Sequence, residues 1–248
     1  LWMLAASFMP DGEANQYPPR LVPSEPTGEH YRELFTRLAL GRYLLNSSFV
    51  SLSVTALALL ICSMAGYAFA KLPFRGRDRV FRLLIAGLVI PVQVTMLPLF
   101  LLLKGMHLVN SYWAVIIPGL ASIYAIFLVR QYVSGIPDDL LDAARLDGAG
   151  ELRIFWSVIL PVIRPIMVTL GIYTFMTMWN DFMWPLIVLS DDRRYTLPVA
   201  LANLVGEHVQ DTELMMAGAV LTVLPVFLSF VVLQRYYIEG ATAGSVKG

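Results

Sequence analysis

The chain has 248 residues, of which 57% are hydrophobic and 15% are charged, and its mean hydropathy is +0.66. An ordinary soluble domain has a smaller apolar share and a larger charged share, so this composition favours an integral membrane protein. Eighteen basic residues balance eighteen acidic ones, which leaves no basic surplus of the kind that nucleic-acid-binding proteins carry.

The chain begins with a short apolar segment, residues 1–9, which covers only about half of a bilayer at about 1.5 Å per residue. The sequence also starts without methionine. We therefore expect residues 1–9 to be the end of a first membrane span whose upstream part is missing from this sequence. Residues 10–42 are then expected to form an external loop, which is rich in proline in its first half.

Longer apolar segments follow, each close to the roughly 20 residues that a membrane span requires. Four of them contain a stretch without Asp, Glu, Lys or Arg, and a fifth is interrupted only by Asp181. The predicted spans are residues 43–70, 83–103, 110–133, 165–190 and 214–236. The predicted fold is therefore an all-α integral membrane bundle, a single transmembrane domain with six spans once the first is completed.

The distribution of Lys and Arg predicts the orientation of the bundle, because positive residues in short loops are kept on the cytoplasmic side. The connection 71–82 contains five basic residues, so we expect it to be cytoplasmic. Alternation of sides then places residues 135–161 and the tail, residues 237–248, in the cytoplasm. It places residues 10–42 and 191–213 outside.

The connection 135–161 has the pattern of two short helices. Pro137 suits the first position of a helix, and the carboxylates at positions 138 and 139 complement the free N–H groups of a first turn. Gly148 suits the left-handed residue that commonly follows a helix end. The second helix places apolar residues at i, i+3, i+4 and i+7, which predicts a face that lies on the membrane surface. The residues of this face are Leu152, Phe155, Trp156 and Ile159.

Small side chains lie at the centre of the first of these helices. Ala143 and Ala144 permit the close approach of another protein, and the charged residues around them would set its orientation. We therefore predict a docking surface for a partner protein. It consists of Asp142, Ala143, Ala144, Arg145, Asp147 and Gly148.

The residues of this connection also occur in a characteristic order, Asp142-Ala143-Ala144, Asp147-Gly148-Ala149, Phe155, Ile159-Leu160-Pro161 and Pro165. This order resembles the EAA loop of ABC importer permeases, specifically the carbohydrate-uptake class that includes maltose and glycerol-phosphate systems. The first acidic residue is Asp where the family usually has Glu, a change that keeps the charge. Further segments similar to the family are residues 45–47, 68–77, 179–186, 195–198 and 240–248, so the resemblance extends over essentially the whole chain.

The resemblance implies a permease subunit of a bacterial inner membrane that forms half of the translocation path for a sugar or sugar-like solute. It also implies a second permease subunit, with a heterodimer favoured, and two cytoplasmic ABC ATPase subunits that dock on the EAA loop. A solute-binding protein is expected at the external loops, residues 10–42 and 191–213. The tail, residues 240–248, can also reach toward the ATPase subunits.

The sequence contains no recognisable motif for ATP hydrolysis or metal binding. A P-loop requires glycine directly before its phosphate-binding lysine, whereas Lys71, Lys104 and Lys247 follow Ala, Leu and Val. Cys62 is the one cysteine, and the three histidines have no HExxH spacing. We therefore expect that the chain is not an enzyme and that ATP and Mg²⁺ are bound by the partner ATPase.

A carboxylate within a predicted span is energetically costly and often marks a transport path or a polar partner. Asp181 lies beside Trp179 and Asn180, and aromatic and polar groups together suit a sugar, so these three residues are candidates for the translocation path. The alternative for Asp181 is a structural hydrogen bond to a neighbouring helix. The alternative functions are an ion-coupled secondary transporter, with Asp181 as its coupling carboxylate, and a membrane scaffold; the docking loop favours the ABC importer.

Overall fold

The computed structural model describes residues 1–207 and 211–242. Over these residues the regular structure is entirely helical, which confirms the predicted all-α class. In chain order the α-helices are α1 (Trp2–Ala6), α2 (Glu29–Thr36), α3 (Leu40–Lys71), α4 (Arg77–Ala86), α5 (Val92–Gly105), α6 (Tyr112–Gly119), α7 (Ile123–Ser134), α8 (Asp138–Leu146), α9 (Glu151–Ile154), α10 (Leu160–Val162), α11 (Arg164–Trp179), α12 (Met183–Val188), α13 (Leu197–Glu207) and α14 (Thr212–Thr242). The end of the predicted tail, residues 243–248, lies outside the described residues.

Helix α3 is the centre of the bundle, and α7 and α11 pack along it. It continues for 32 residues because it contains no proline and its charged residues, Arg42 and Lys71, lie near its two ends. At about 1.5 Å per residue it is about 48 Å long, more than the roughly 30 Å of a hydrocarbon core. We call the end of the bundle at Lys71 the loop end, because it carries the connection 135–161.

Glycines allow other helices to approach α3 closely. A Cβ atom at Gly66 would lie 2.5 Å from Cγ1 of Val129 and 3.0 Å from the backbone nitrogen of Arg130, both in α7. A Cβ atom at Gly119 in α6 would lie 2.7 Å from Cγ1 of Val54. Small residues serve this purpose widely in membrane helices, where close van der Waals packing drives association.

The predicted span 83–103 corresponds to two helical segments, Arg77–Val89 and Val92–Gly105, which are bent by 108° relative to each other. Pro91 lies at the break, where it lacks an N–H group and disfavours helical backbone in the residue before it. A second bend, of 81°, separates α11 from the helical turns that precede it. Among the described residues, two helical segments are long and apolar enough to cross a membrane: Leu40–Lys71, which is α3, and Tyr112–Ser134, which contains α6 and α7. Counting each bent pair as one span raises this number to four. The total of six spans stays a prediction.

Asn46 joins α3 to the loop before α13, at the end of the bundle opposite to the loop end. Its Nδ2 donates to the carbonyl oxygens of Arg193 and Tyr195 at 3.0 and 2.9 Å. Its Oδ1 accepts from the hydroxyl of Tyr112 at 2.8 Å. Both the nitrogen and the oxygen of this amide therefore fix α3 to neighbouring segments.

The irregular residues 10–28 pack against the start of α14. The N–H of Ala14 donates to Oε1 of Glu213 at 2.7 Å, and the hydroxyl of Thr212 donates to Oδ1 of Asn15 at 2.8 Å. Glu213 is 1% exposed. These contacts bring parts of the two predicted external loops together on one surface.

Candidate functional site

The first predicted helix of the docking loop is α8, Asp138–Leu146, and it ends with a well-defined cap. The N–H of Gly148 donates to the carbonyl oxygen of Arg145 at 2.9 Å, and that of Ala149 donates to the carbonyl oxygen of Ala144 at 3.0 Å. Gly148 has a φ of +81°. This pair of hydrogen bonds around a left-handed residue is the Schellman motif, in which glycine avoids a steric penalty.

Replacing Gly148 by Ala is expected to loosen the end of α8. Nothing lies within 4 Å of a Cβ atom at this position, so the cost comes from the left-handed backbone alone, about 1 kcal/mol. Amide hydrogen exchange of Asp147 and Gly148 should accelerate about fivefold as the cap opens more often. Gly150→Ala is the matched control, because Gly150 has equally open surroundings and a φ of −74°. Equal exchange in the two variants would contradict this account.

One side of α8 is exposed and the other side anchors the helix. Asp142, Ala143 and Asp147 are exposed, whereas Leu141 is 1% exposed and belongs to the apolar cluster at the loop end. Leu146 is 90% exposed. Sequence reasoning did not include Leu146 in the docking surface, although its position three residues after Ala143 puts both on one side of the helix. The predicted docking residues are therefore accessible to a partner except Ala144, which is half-buried and packs against the same apolar cluster.

Arg145 connects the docking surface to the interior of the bundle. Its NH1 donates to Oδ1 of Asp142 at 2.8 Å, and its Nε donates to Oε1 of Glu151 at 2.9 Å. The other oxygen of Glu151 accepts from the hydroxyl of Tyr67, in α3, at 2.5 Å. The hydrogen bond from Arg145 and, to a smaller extent, that from Tyr67 lower the pKa of Glu151. The hydrogen bonds to Glu151 and, to a smaller extent, to Asp142 raise the pKa of Arg145. Both groups therefore stay charged at neutral pH.

Lys71, at the end of α3, fixes the beginning of α8. Its Nζ donates to the carbonyl oxygen of Ile136 and to Oδ1 of Asp138, each at 2.6 Å. The side chain of Lys71 is 8% exposed and that of Asp138 is 76% exposed. The hydrogen bond and the positive charge of Lys71 lower the pKa of Asp138. Sequence reasoning missed this pair because no local pattern links residues that are 67 positions apart.

The second predicted helix of the loop does not present its apolar residues as a single exposed face. Leu152 and Trp156 are 65% and 54% exposed, but Phe155 and Ile159 are 2% and 0% exposed and lie in the apolar cluster at the loop end. A π-helical turn occupies Phe155–Ile159. A π turn contains more residues than an α turn, so the spacing assumed in the prediction does not hold across it.

The structure places the three predicted path residues in different surroundings. Trp179 is 2% exposed, its Nε1 donates to the carbonyl oxygen of Thr222 in α14 at 3.0 Å, and its ring stacks on Phe175. Asn180 is exposed, and its Nδ2 donates to the carbonyl oxygen of Met176 one turn earlier at 2.8 Å. Trp179 thus packs α11 against α14, while the side chain of Asn180 bonds within its own helix.

Asp181 lines a cavity of about 290 Å³ between α5, α6, α11 and α12. The side-chain oxygens at this cavity belong to Asp181, Thr95 and Thr177. Oδ1 of Asp181 accepts from the N–H of Trp184 at 3.4 Å, and the indole N–H of Trp184 donates to the carbonyl oxygen of Ala114 at 2.9 Å. Asp181 therefore borders a space that is largely apolar, with few polar groups.

Within residues 1–207 and 211–242, no group of three or more His, Cys, Asp or Glu side chains could hold a metal ion. Cys62 is 1% exposed, and its sulfur lies 3.7 Å from the carbonyl oxygens of Leu120 and Ser122. Its position is that of a packing residue between α3 and the break between α6 and α7.

A solved structure has the same fold as this chain. It is the crystal structure of a bacterial ABC transporter involved in the import of the acidic polysaccharide alginate. One of its chains aligns with a TM-score of 0.86 at 21% identity, covering 95% of this chain and 89% of that chain. The helical bundle of this chain is thus shared with a chain of that transporter.

The family follows from the sequence itself. Residues 58–240 match the family described as the binding-protein-dependent transport system inner membrane component. The chain belongs to this family and is a permease subunit of an ABC importer. Together with the sugar permeases described in the next paragraph, this match confirms the resemblance to carbohydrate-uptake permeases, and the alternatives of an ion-coupled secondary transporter and a scaffold are set aside.

Curated relatives are similar over most of their length. The arabinooligosaccharides transport system permease protein AraQ of Halalkalibacterium halodurans is 39% identical over 249 residues, which cover 99% of this chain and 89% of that protein. AraQ of Bacillus subtilis is 40% identical, covering 84% of this chain and 74% of that protein. The lactose transport system permease protein LacG of Rhizobium radiobacter is 36% identical, covering 82% of this chain and 74% of that protein.

Proposed function

We propose that this permease subunit forms half of the path for an oligosaccharide and is driven by an ATPase subunit that docks on α8. The proposed docking rests on one observation: helix α8 has an exposed side and is held in place at both ends. Asp142, Ala143 and Leu146 are exposed, while Lys71 holds one end of the helix and Glu151 the other. A surface that is ordered before binding loses little conformational entropy when a partner docks.

The proposed complex contains a second, different permease subunit, two cytoplasmic ABC ATPase subunits and an external solute-binding protein. ATP and Mg²⁺ would be bound by the ATPase subunits, since none of the lysines in this sequence follows glycine as a P-loop requires. This chain would then carry no catalytic residue. Membership of a binding-protein-dependent inner membrane family supports the partners in general terms.

The proposed orientation places the loop end in the cytoplasm, together with the tail, residues 237–248. Positive residues concentrate in the connection 71–82, and this supports the assignment. Residues 10–42 and 191–213 would face outside, and the contact of Ala14 with Glu213 gives the binding protein one continuous surface to meet. The bundle would be surrounded by the lipid bilayer of the bacterial inner membrane.

The names of the relatives support an oligosaccharide as the solute. They are described as permeases for arabinooligosaccharides, lactose, melibiose with raffinose and stachyose, and galactooligosaccharides. The experiment is uptake by cells that express the complete transporter, measured with radiolabelled arabinotriose, raffinose and glycerol 3-phosphate. Uptake of at least one of the two oligosaccharides with no uptake of glycerol 3-phosphate is expected. Uptake of glycerol 3-phosphate alone would refute the proposed solute class.

Trp179, Asn180 and Asp181 are proposed to belong to the region of the translocation path, with Asp181 as the residue that faces it. Asp181→Asn keeps the size of the side chain and removes its charge. Since hydrogen bonds to charged groups contribute about 1.5–3 kcal/mol, transport is expected to slow by about tenfold or more. Transport rates should be compared at equal amounts of membrane-inserted protein, with Asp192→Asn, at an exposed loop position, as the control. A rate equal to that of the unaltered protein would remove Asp181 from the path.

A further inference from the structure

The end of α3 holds both ends of α8, although many residues separate these helices in the sequence. Tyr67 and Lys71 lie four positions apart, which places them on one side of α3, one turn from each other. Lys71 binds the beginning of α8 through Ile136 and Asp138. Tyr67 reaches the end of α8 through Glu151. The docking helix is therefore clamped to α3 at two points.

The Lys71 contact is specific because the side chain of Lys71 is largely removed from water. Its side chain is 8% exposed, and both of its acceptors belong to the first turn of α8 or to the residues just before it. A buried ammonium group requires such partners, since an unpaired charge in this position would be costly. Any displacement of the beginning of α8 must therefore move Lys71 with it or break these hydrogen bonds.

The Tyr67 contact extends to the docking surface itself. The chain of hydrogen bonds runs from Tyr67 to Glu151, from Glu151 to Arg145, and from Arg145 to Asp142. Tyr67 is 3% exposed, and its ring lies 6.0 Å from that of Phe155. The hydroxyl is thus held in position by packing, and the carboxylate between it and Arg145 links α3 to the exposed side of α8.

The covalent connections of α8 are less direct. On one side the chain leaves α7 through Gly135 and Pro137, and on the other an 81° bend separates α11 from the turns before it. Turns and bends absorb changes in direction, whereas a continuous helix moves as a body. The contact of α8 with the end of α3, a continuous helix of 32 residues, is therefore the more direct connection of α8 to the bundle.

We propose that α3 receives the movement of the docked ATPase through Tyr67 and Lys71, which act as positioning residues for coupling and not as docking contacts. This inference rests on the proposed docking of an ATPase on α8. Both side chains lie beneath the docking surface and leave its exposed residues unchanged. Their loss is therefore expected to weaken ATPase association much less than it reduces the transport obtained from ATP hydrolysis.

The experiment uses the intact transporter in proteoliposomes, with both permeases, the ATPase subunits and the binding protein. The variants are Tyr67→Phe, which removes one oxygen, and Lys71→Met, each alone and together. Co-purification of the ATPase, basal hydrolysis, hydrolysis stimulated by loaded binding protein, and solute moved per ATP are measured. The ratio of solute to ATP and the stimulation are expected to fall by about fivefold or more in the double variant, the lower range of ordinary coupling between sites.

The matched controls are Tyr124→Phe and Lys104→Met. Both side chains are exposed, and no hydrogen bond or ion pair of either is found within the described part of the chain, residues 1–207 and 211–242. Lys71→Arg keeps a charged donor and is expected to restore most of the coupling lost in Lys71→Met, which a merely structural defect in assembly would not predict. Should Lys71→Met fail to assemble, Tyr67→Phe decides the question.

Two failures can be distinguished. If the unaltered permease never associates with the ATPase, the proposed docking on α8 is wrong. If association is normal and Tyr67→Phe and the double variant transport as much solute per ATP as the controls, docking stands and the role of α3 is refuted. A loss of ATPase association in Tyr67→Phe would also overturn this inference, because it would assign Tyr67 to the docking surface.

Discussion

Replacing Ala143 by Asp is expected to abolish association of the permease with its ATPase. Ala143 is exposed in the free permease, so the carboxylate should cost the fold little. In the docked complex the same carboxylate would be removed from water beside Asp142 and Asp147. An unpaired charge buried at an interface costs about 3–5 kcal/mol, which corresponds to a loss of affinity of more than about 100-fold.

The measurement is the amount of ATPase that co-purifies with the permease, followed by titration of the ATPase onto reconstituted permease. Ala143→Ser is the matched control, because serine is small and uncharged at the same position, and it should retain most of the affinity. Equal binding by the two variants would show that this side of α8 is not the docking surface.

Replacing Gly66 by Leu is expected to destabilise the bundle by about 3 kcal/mol or more, at or beyond the upper end of the usual cost of overpacking. The first atom of the new side chain would already lie 2.5 Å from Cγ1 of Val129 and 3.0 Å from the backbone nitrogen of Arg130. A side chain can rotate away, but the backbone of α7 cannot do so without separating α7 from α3. The change should therefore lower the unfolding temperature in detergent micelles and the amount of protein in the membrane.

Gly105→Leu is the control for this prediction, because no atom lies within 4 Å of a Cβ atom at Gly105, which is exposed at the end of α5, whereas Gly66 is buried. Adding Val129→Ala to Gly66→Leu should restore part of the stability by removing Cγ1 of Val129, the nearest of three close atoms, although the Cβ atom of residue 129 stays 2.7 Å away. If Gly66→Leu unfolds at the same temperature as Gly105→Leu, the close crossing of α3 and α7 does not depend on glycine.

Local chemistry in the sequence was sufficient to predict both ends of helix α8. Its beginning could be predicted because Pro137 and the following carboxylates suit a first turn, and its end because Gly148 suits a left-handed residue. The structure places both at the ends of α8. Such predictions succeed because a helix cap involves residues only a few positions apart.

Contacts between distant residues could not be predicted in this way. In the sequence, Tyr67 is part of the end of an apolar span and Lys71 is the first basic residue of the connection 71–82. Nothing in the sequence indicates that their polar atoms bind the connection 135–161. Trp179 was expected beside the translocation path because of its neighbours in sequence, whereas its burial against α14 depends on helix packing. One sequence without aligned relatives carries no information on which helices are neighbours.

Apolar composition also predicted the lengths of the membrane spans better than the directions of their helices. Residues 83–103 are continuous in hydropathy, and their division into two segments at 108° depends on Pro91 and on the neighbours that accept the bend. In the same way, the four apolar residues of the second loop helix were expected on one face. A π-helical turn occupies Phe155–Ile159, and Phe155 and Ile159 are buried while Trp156 is exposed.

Helix α3 is fixed at both of its ends, by Asn46 at the loop before α13 and by Lys71 at the docking loop. These residues are about 37 Å apart along the helix at about 1.5 Å per residue. A ligand that binds at one end of α3 and reduces its thermal motion leaves less conformational entropy to be lost when a second ligand binds at the other end of the helix. Occupation of the two distant surfaces is therefore expected to be mutually favourable, by equal amounts in both directions, even where no atom changes its mean position.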